Sequence, residues 1–410
     1  MKTCLRLLFL VAGLAHAAPS AGAPAAEPPG VIIDRSADFA RVYVGCPGIA
    51  ILPNGRYVAS HSWFGPGTQN DTSEVFGSSD RGQTWNHLAT LKGQWWSNLF
   101  VHGGALYILG VTHEYGRIVI RRSTDGGATW SVPKDAQSGL LTATPGYHCA
   151  PMPVALHSGR LWRAFELAGD FSGEVVPPAP PAKNGGGSKP ARPGDVRINP
   201  RIAWPSLVIS APADADLLRA DQWRMSRPLP HPESKSQWIE GNVLVSPQGR
   251  LVNVLRTNPQ AEQTKLHRSS GQVAIVHIDE DGLTLRHDPA RDLVNFPGGG
   301  AKFTIRYDEP SRRYWSVAND QRDPAAYRNI VALASSADLT HWRVDRILLQ
   351  HADSRQHAWQ YLDWVFDGAD IVAVSRTAWD GARSAHDANY LTFHRIAGFR
   401  TAIGTEVRPQ

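Results

Sequence analysis

Residues 123–130 read Ser-x-Asp-x-Gly-x-Thr-Trp, and residues 78–85 read the same way. Asp and Gly suit a tight turn, because a short carboxylate accepts hydrogen bonds from following backbone N–H groups while Gly supplies the positive φ. Thr and Trp then open a strand, and the Trp covers the turn. Each copy therefore reads as a hairpin turn held by its own side chains. The copies lie 45 residues apart, counted from Asp80 to Asp125, which is the length of one propeller blade.

Six strand–turn–strand units run through the chain, beginning at residues 49, 99, 153, 243, 304 and 364. Each is an apolar run, a turn and a second apolar run. Their starts are 50, 54, 90, 61 and 60 residues apart. The long interval contains a Pro- and Gly-rich stretch at 175–195, and treating it as a flexible insertion restores the common period. Degenerate copies of the opening motif at 210–223 and 334–342 fall where third and fourth strands belong. With 14 Trp and 37 Gly in 410 residues, one all-β repeat architecture explains the chain better than two unrelated domains. The expectation is a single six-bladed β-propeller over residues 30–402, with seven blades as the alternative. The segment near Val31 is expected to pair with 389–396 and close the ring.

Lys2 and Arg6 precede an apolar run, and Ala-His-Ala ends at Ala17, so residues 1–17 read as a signal peptide and the mature protein as periplasmic or secreted. Residues 18–29, rich in Ala and Pro, read as a disordered linker. No later run is long enough to span a bilayer. The formal net charge of +5 is mild, and the basic residues are scattered, which argues against a nucleic-acid partner. A soluble monomer is expected. Once Cys4 leaves with the leader, Cys46 and Cys149 remain; they read as two buried thiols, with a single bridge as the alternative.

In a propeller the two innermost strands of each blade deliver residues to the central axis. Those positions hold His61 and Trp63, then Trp95, Trp96 and His113, then Tyr147, His148, Arg163 and Glu166. The later blades add Trp238, Glu240, Arg256, Lys302, Gln360, Tyr361 and Arg376. Arginines among aromatic walls suit an acidic oligo- or polysaccharide, because guanidinium groups grip carboxylates bidentately and flat rings stack on sugars.

On these residues the sequence resembles the sialidase (neuraminidase) superfamily, whose Asp-box repeat is the motif at 78–85 and 123–130. The resemblance implies a six-bladed propeller that hydrolyses a terminal acidic sugar. It implies Tyr361 as nucleophile, with Glu240 as the base that takes its proton. Arg256 and Arg328, the latter ahead of the degenerate motif at 334–342, resemble two arginines of the family's carboxylate-binding triad. Asp71 stands one residue from the position of the family's acid/base aspartate. The chain departs from the family in its first inner strand, where Gly45-Cys46-Pro47 replaces Arg-Ile-Pro. With that arginine missing, His61 is the candidate acid or base that reaches the vacated space.

Two further readings follow from the same residues. Tyr147 and Arg163 resemble the Tyr and Arg of ulvan and rhamnose–glucuronate lyases. With His148 and His61 they would supply the cation, base and acid of a β-elimination next to a uronic acid. A non-catalytic glycan-binding propeller would instead keep the aromatic and arginine contacts, with Trp238, Tyr147, His148 and Arg376 touching the sugar. No cofactor or catalytic metal is called for. His386 and Asp387 form one His–Asp pair, and backbone and carboxylate oxygens would equally suit a structural calcium ion.

Overall fold

The computed structural model describes residues 27–168, 204–231, 236–259, 271–323 and 326–403. Its strands form six antiparallel sheets in chain order. The inner hairpins are Gly48–Ile51 with Tyr57–Phe64, Trp95–His102 with Ala105–Val111, and Ala155–His157 with Arg160–Leu167. Ser236–Val245 with Leu251–Pro259, Thr304–Asp308 with Arg313–Asn319, and Ala358–Asp367 with Asp370–Ala378 complete them. These are the six units legible in the sequence, and the fold is a six-bladed β-propeller. Val31–Arg35 pairs antiparallel with Tyr390–Ile396, so the N-terminal strand closes the last blade. The segments read as a signal peptide, 1–17, and as a flexible insertion, 175–195, lie outside the described residues, as do 18–26. Glu27 onward is described, and Pro28 is already buried.

Among the described residues the apolar side chains form six seams, one between each pair of neighbouring blades, and a small alanine cluster beside the sixth blade. Alternation along a strand sends successive side chains to opposite seams. Leu106 and Ile108 face the first blade, whereas Tyr107, Leu109 and Val111 face the third. The last seam joins Val372, Val374 and Phe393 to Val44, Ile49 and Tyr57, which seals the ring. Both faces of every sheet are thereby buried, which is why the inner strands read as nearly continuous apolar runs.

The repeated turns close on themselves as their residue types require. Asp80 Oδ1 accepts from the N–H groups of Gln83 and Thr84 and from the Ser78 hydroxyl, and Oδ2 accepts from the Thr84 hydroxyl at 2.6 Å. Asp125 repeats this set with Ala128, Thr129 and Ser123. Both indoles then donate to the carbonyl of the turn glycine, Gly82 or Gly127. Asp338 makes the shortened version at 334–342. A further copy at Asp281 binds Leu283 and Thr284 in the same way, but Leu285 stands where the others have Trp, so sequence pattern alone passed over it. Cys46 and Cys149 are two free, buried thiols.

Candidate functional site

The site is built where the innermost strands break their own regularity. In the second, fourth and sixth blades the inner pairing slips between Trp95 and Asn98, Ile239 and Asn242, and Gln360 and Asp363. One residue in each bulge takes a positive φ: Trp96 at 46°, Glu240 at 59° and Tyr361 at 55°. A bulge re-aims a side chain out of the sheet's alternation, and left-handed backbone at a non-glycine residue persists only where its surroundings hold it. Two residues on, a polar side chain does part of that holding. Asn242 donates to the Phe303 carbonyl and accepts from the Ile305 N–H of the fifth blade, at 3.3 and 3.0 Å. Asp363 accepts from the Ile49 N–H of the first blade at 3.1 Å. The bulges of the fourth and sixth blades are thus pinned to the next blade, whereas Asn98 in the second donates within its own strand, to the Leu99 carbonyl.

These bulges bring Glu240 and Tyr361 together across the axis. The Tyr361 hydroxyl donates to Glu240 Oε1 at 2.7 Å, and Arg256 Nη1 donates to Oε2 at 2.9 Å. The guanidinium groups of Arg376 and Arg328 lie over the Tyr361 ring at 5.0 and 5.7 Å. Arg376 also stacks on Phe64 at 4.5 Å. Arg328 donates to Gln360 Oε1, and Arg376 to the His386 carbonyl. Among the described residues neither arginine meets a carboxylate, and the Nε atoms of both are buried with no partner.

Burial pushes the Tyr361 phenol well above its ordinary value, and the Glu240 charge adds to this, while Arg256, Arg328 and Arg376 oppose it. Burial also works to raise Glu240, but Arg256 and then His148 outweigh it and hold the carboxyl below the usual range. Burial lowers the Arg376 guanidinium to about 10. The pair is therefore a neutral phenol bonded to an ionised carboxylate, inside a field of cations of which Arg328 and Arg376 make no ion pair among the described residues, Asp387 acting on Arg376 only at longer range.

One wall is aromatic. The His148 ring packs against Trp96 at 4.5 Å and Trp204 at 4.8 Å, and Tyr115 packs on both tryptophans at 5.2 and 5.7 Å. Burial raises the Tyr115 phenol, and the Glu114 charge adds to this. Tyr115 and Trp204 lie on loops, where neither strand alternation nor a motif marks them. Asp71 ends the loop before Thr72–Ser78 and accepts from the Thr72 hydroxyl at 2.9 Å, with Lys92 Nζ at 3.3 Å. Its neighbour Asn70 donates to Glu114 beside Tyr115 at 2.6 Å.

Four candidates sit elsewhere. His61 is buried in the closing seam, with Nε2 2.8 Å from Asp34 Oδ2 on the N-terminal strand and its ring against Trp63 and Phe76. Arg163 is wholly buried; it donates to the carbonyls of Ala164 and Ala150 and lies over Phe165. Tyr147 belongs to the apolar seam of the second and third blades, with its hydroxyl 4.0 Å from Met225 Sδ. Trp238 is buried between the rings of His231 and His287. In each case alternation turns the side chain into a seam, and the set needed for β-elimination is not assembled. His386 Nδ1 bonds Asp387 at 2.8 Å beside Arg376, and burial with the Arg376 charge lowers the imidazole to about 4. Among the described residues no group of three or more His, Cys, Asp or Glu is arranged to hold a metal ion. A cleft of about 1380 Å³ between the third and fourth blades contains none of the candidates. Its charges are matched internally, as in Arg286–Asp279 and Arg291–Asp288.

No family model and no curated protein matches the sequence. Solved structures do match. An α-L-arabinanase of Penicillium chrysogenum, complexed with arabinobiose, is similar with a TM-score of 0.53 and 15% identity over 90% of this chain and 97% of its own. A Hadza microbial sialidase is similar with a TM-score of 0.55 and 14% identity, over 87% of this chain and 66% of its own. The sialidase of Trypanosoma rangeli is similar with a TM-score of 0.54 and 14% identity, over 88% of this chain and 55% of its own. At these identities the likeness is one of fold: this chain has the sialidase-like six-bladed propeller.

Proposed function

We propose that the protein is a retaining glycoside hydrolase that releases a terminal sugar carrying a carboxylate. The observation that carries this reading is the 2.7 Å bond from Tyr361 to Glu240 beneath three guanidinium groups, two of which make no ion pair among the described residues. A buried guanidinium lacking a carboxylate is costly unless a ligand supplies one. The sugar's carboxylate is that ligand, held by Arg328 and Arg376 with Arg256 behind them. A neutral furanoside, such as the arabinobiose bound by the Penicillium enzyme, would leave both cations uncompensated.

The choice of nucleophile follows from the same charges. An ionised carboxylate attacking the anomeric carbon would meet the substrate's own negative charge, whereas the Tyr361 phenol is neutral until attack. As its oxygen bonds to the anomeric carbon, its proton passes to Glu240 and the glycosidic bond breaks. Asp71, on the loop beside Asn70 and Glu114, is the acid assigned to the leaving oxygen. Water, deprotonated by the Asp71 carboxylate, then attacks the anomeric carbon as its bond to the Tyr361 oxygen breaks, and Glu240 hands its proton back to restore the phenol. The reading of residues 1–17 as a signal peptide supports an activity outside the cytoplasm.

The test is turnover on a panel of sialyl, uronyl and arabinosyl substrates. Tyr361→Phe is expected to lower kcat by at least about 10³-fold while retaining ligand binding. A Phe variant with wild-type turnover, or a wild type that cleaves only neutral arabinosides, would overturn the proposal.

A further inference from the structure

Glu166 is a buried carboxylate on Arg160–Leu167, and both of its oxygens are committed, one across the seam to the fourth blade and one to its cross-strand neighbour His148. Oε1 accepts from the backbone N–H of Glu240 at 2.8 Å, the residue held at φ 59°. Oε2 accepts from His148 Nδ1 at 2.7 Å. The other face of His148 is the aromatic wall of Trp96, Tyr115 and Trp204. Hydrogen bonds and ring contacts therefore run unbroken from that wall through His148 and Glu166 to the main chain of Glu240, and on to Tyr361.

Resting on the Tyr361–Glu240 reading, we infer that Glu166 is a positioning residue that fixes the base, and that His148 ties the base's position to the aromatic wall. A backbone amide in a left-handed bulge points away from its own ladder, so an acceptor from the neighbouring blade must meet it. Glu166 is that acceptor. Its second oxygen is orientated by His148, so a sugar seated against the wall tightens the same hydrogen bonds that aim Glu240. The wall is in this sense part of the catalytic geometry and not only a binding surface. The groups facing Glu240 are Tyr361, Arg256, His148 and Glu166, and its charge also acts on Lys302, Cys46 and Cys149.

Glu166→Leu removes both acceptors, Glu166→Asp is too short to serve both partners, and Glu166→Gln keeps one oxygen for the Glu240 N–H. The expected result is a kcat about 10²-fold lower for Leu, since a displacement near 1 Å costs about that much, with KM changed less than about threefold. Asp should behave like Leu, and Gln should recover most of the loss. Crystal structures of the same variants should show Glu240 leaving the left-handed region in Leu or Asp and remaining there in Gln. An undisturbed Glu240 in Leu or Asp overturns the inference, with or without an assayable substrate. Tyr361→Phe, assayed alongside, separates the two claims: turnover retained there defeats the mechanism, whereas wild-type kcat in Glu166→Leu defeats only the positioning role.

Discussion

Replacing His61 by alanine distinguishes a seam residue from a catalytic one. The imidazole is 1% exposed, edge-on to Trp63 at 4.4 Å and stacked on Phe76 at 5.7 Å, and it bonds Asp34 at 2.8 Å. Deleting a buried ring leaves a cavity and loses its contacts, worth about 2–4 kcal/mol for a side chain smaller than Phe. The bond to a carboxylate adds about 1 kcal/mol net, because Asp34 is a quarter exposed and regains water. The total is about 3–5 kcal/mol, applied where the ring is closed by one strand. In a domain this large each kcal/mol moves Tm by about 1–2 °C, so a drop of about 3–10 °C is expected. Asp34→Asn should show a smaller drop of the same sign. Circular-dichroism melts and initial rates at 25 °C on one preparation read both quantities, and the rate should stay within about twofold. A His61→Ala enzyme that melts like wild type but has lost a hundredfold in turnover would refute the assignment to the seam and return His61 to the site.

Arg376→Met should raise KM by about 10- to 100-fold for a carboxylate-bearing substrate, the loss of one charge-assisted contact. It should leave binding of the corresponding methyl ester nearly unchanged, as measured by paired kinetics. Hydrogen bonds from Thr84 and Thr129 hold Asp80 and Asp125 at about 2. Their stabilisation is present above the ordinary carboxylate range near 4 and is lost as pH falls towards 2; Asp125→Asn should therefore flatten acid unfolding in that window. Burial lowers Lys302 to about 8, so between pH 8 and about 10.5 the unfolded chain binds the extra proton and stability rises with pH. Lys302→Met should abolish that slope and raise Tm at pH 7.

The blade count was legible because each inner hairpin is an apolar run, a turn and a second run, and because Asp80 and Asp125 fix the repeat length. Ring closure followed from the unpaired edge at 390–396. The buried thiols were also within reach, since two cysteines make no framework. The copy of the turn at Asp281 escaped because Leu285 replaces the tryptophan while the carboxylate geometry is kept. The hydrogen bonds, not the indole, define the turn.

The site was half legible for a different reason. Tyr361, Glu240, Arg256 and Arg328 carry a family pattern, and the structure gathers them. Position along the inner strands then gave equal weight to Arg163, Tyr147 and Trp238, because alternation says which residues share a face but not whether that face is a seam or the axis. What sets Glu240 and Tyr361 apart, with Trp96 of the aromatic wall, is the bulge, which lifts them out of alternation; the marker two residues on is a polar side chain inside an apolar run, namely Asn98, Asn242 and Asp363. The same geometry accounts for Gly45. A Cβ there would stand 3.0 Å from the Ser62 carbonyl and 3.4 Å from the Phe64 ring, so a side chain at that point would have to push both back by a few tenths of an ångström. Phe64 fills the space, and Arg376 from the sixth blade lies flat on it at 4.5 Å. The third guanidinium is therefore supplied by a different strand from the one where the family pattern seeks it, which no reading of the first strand alone would reveal.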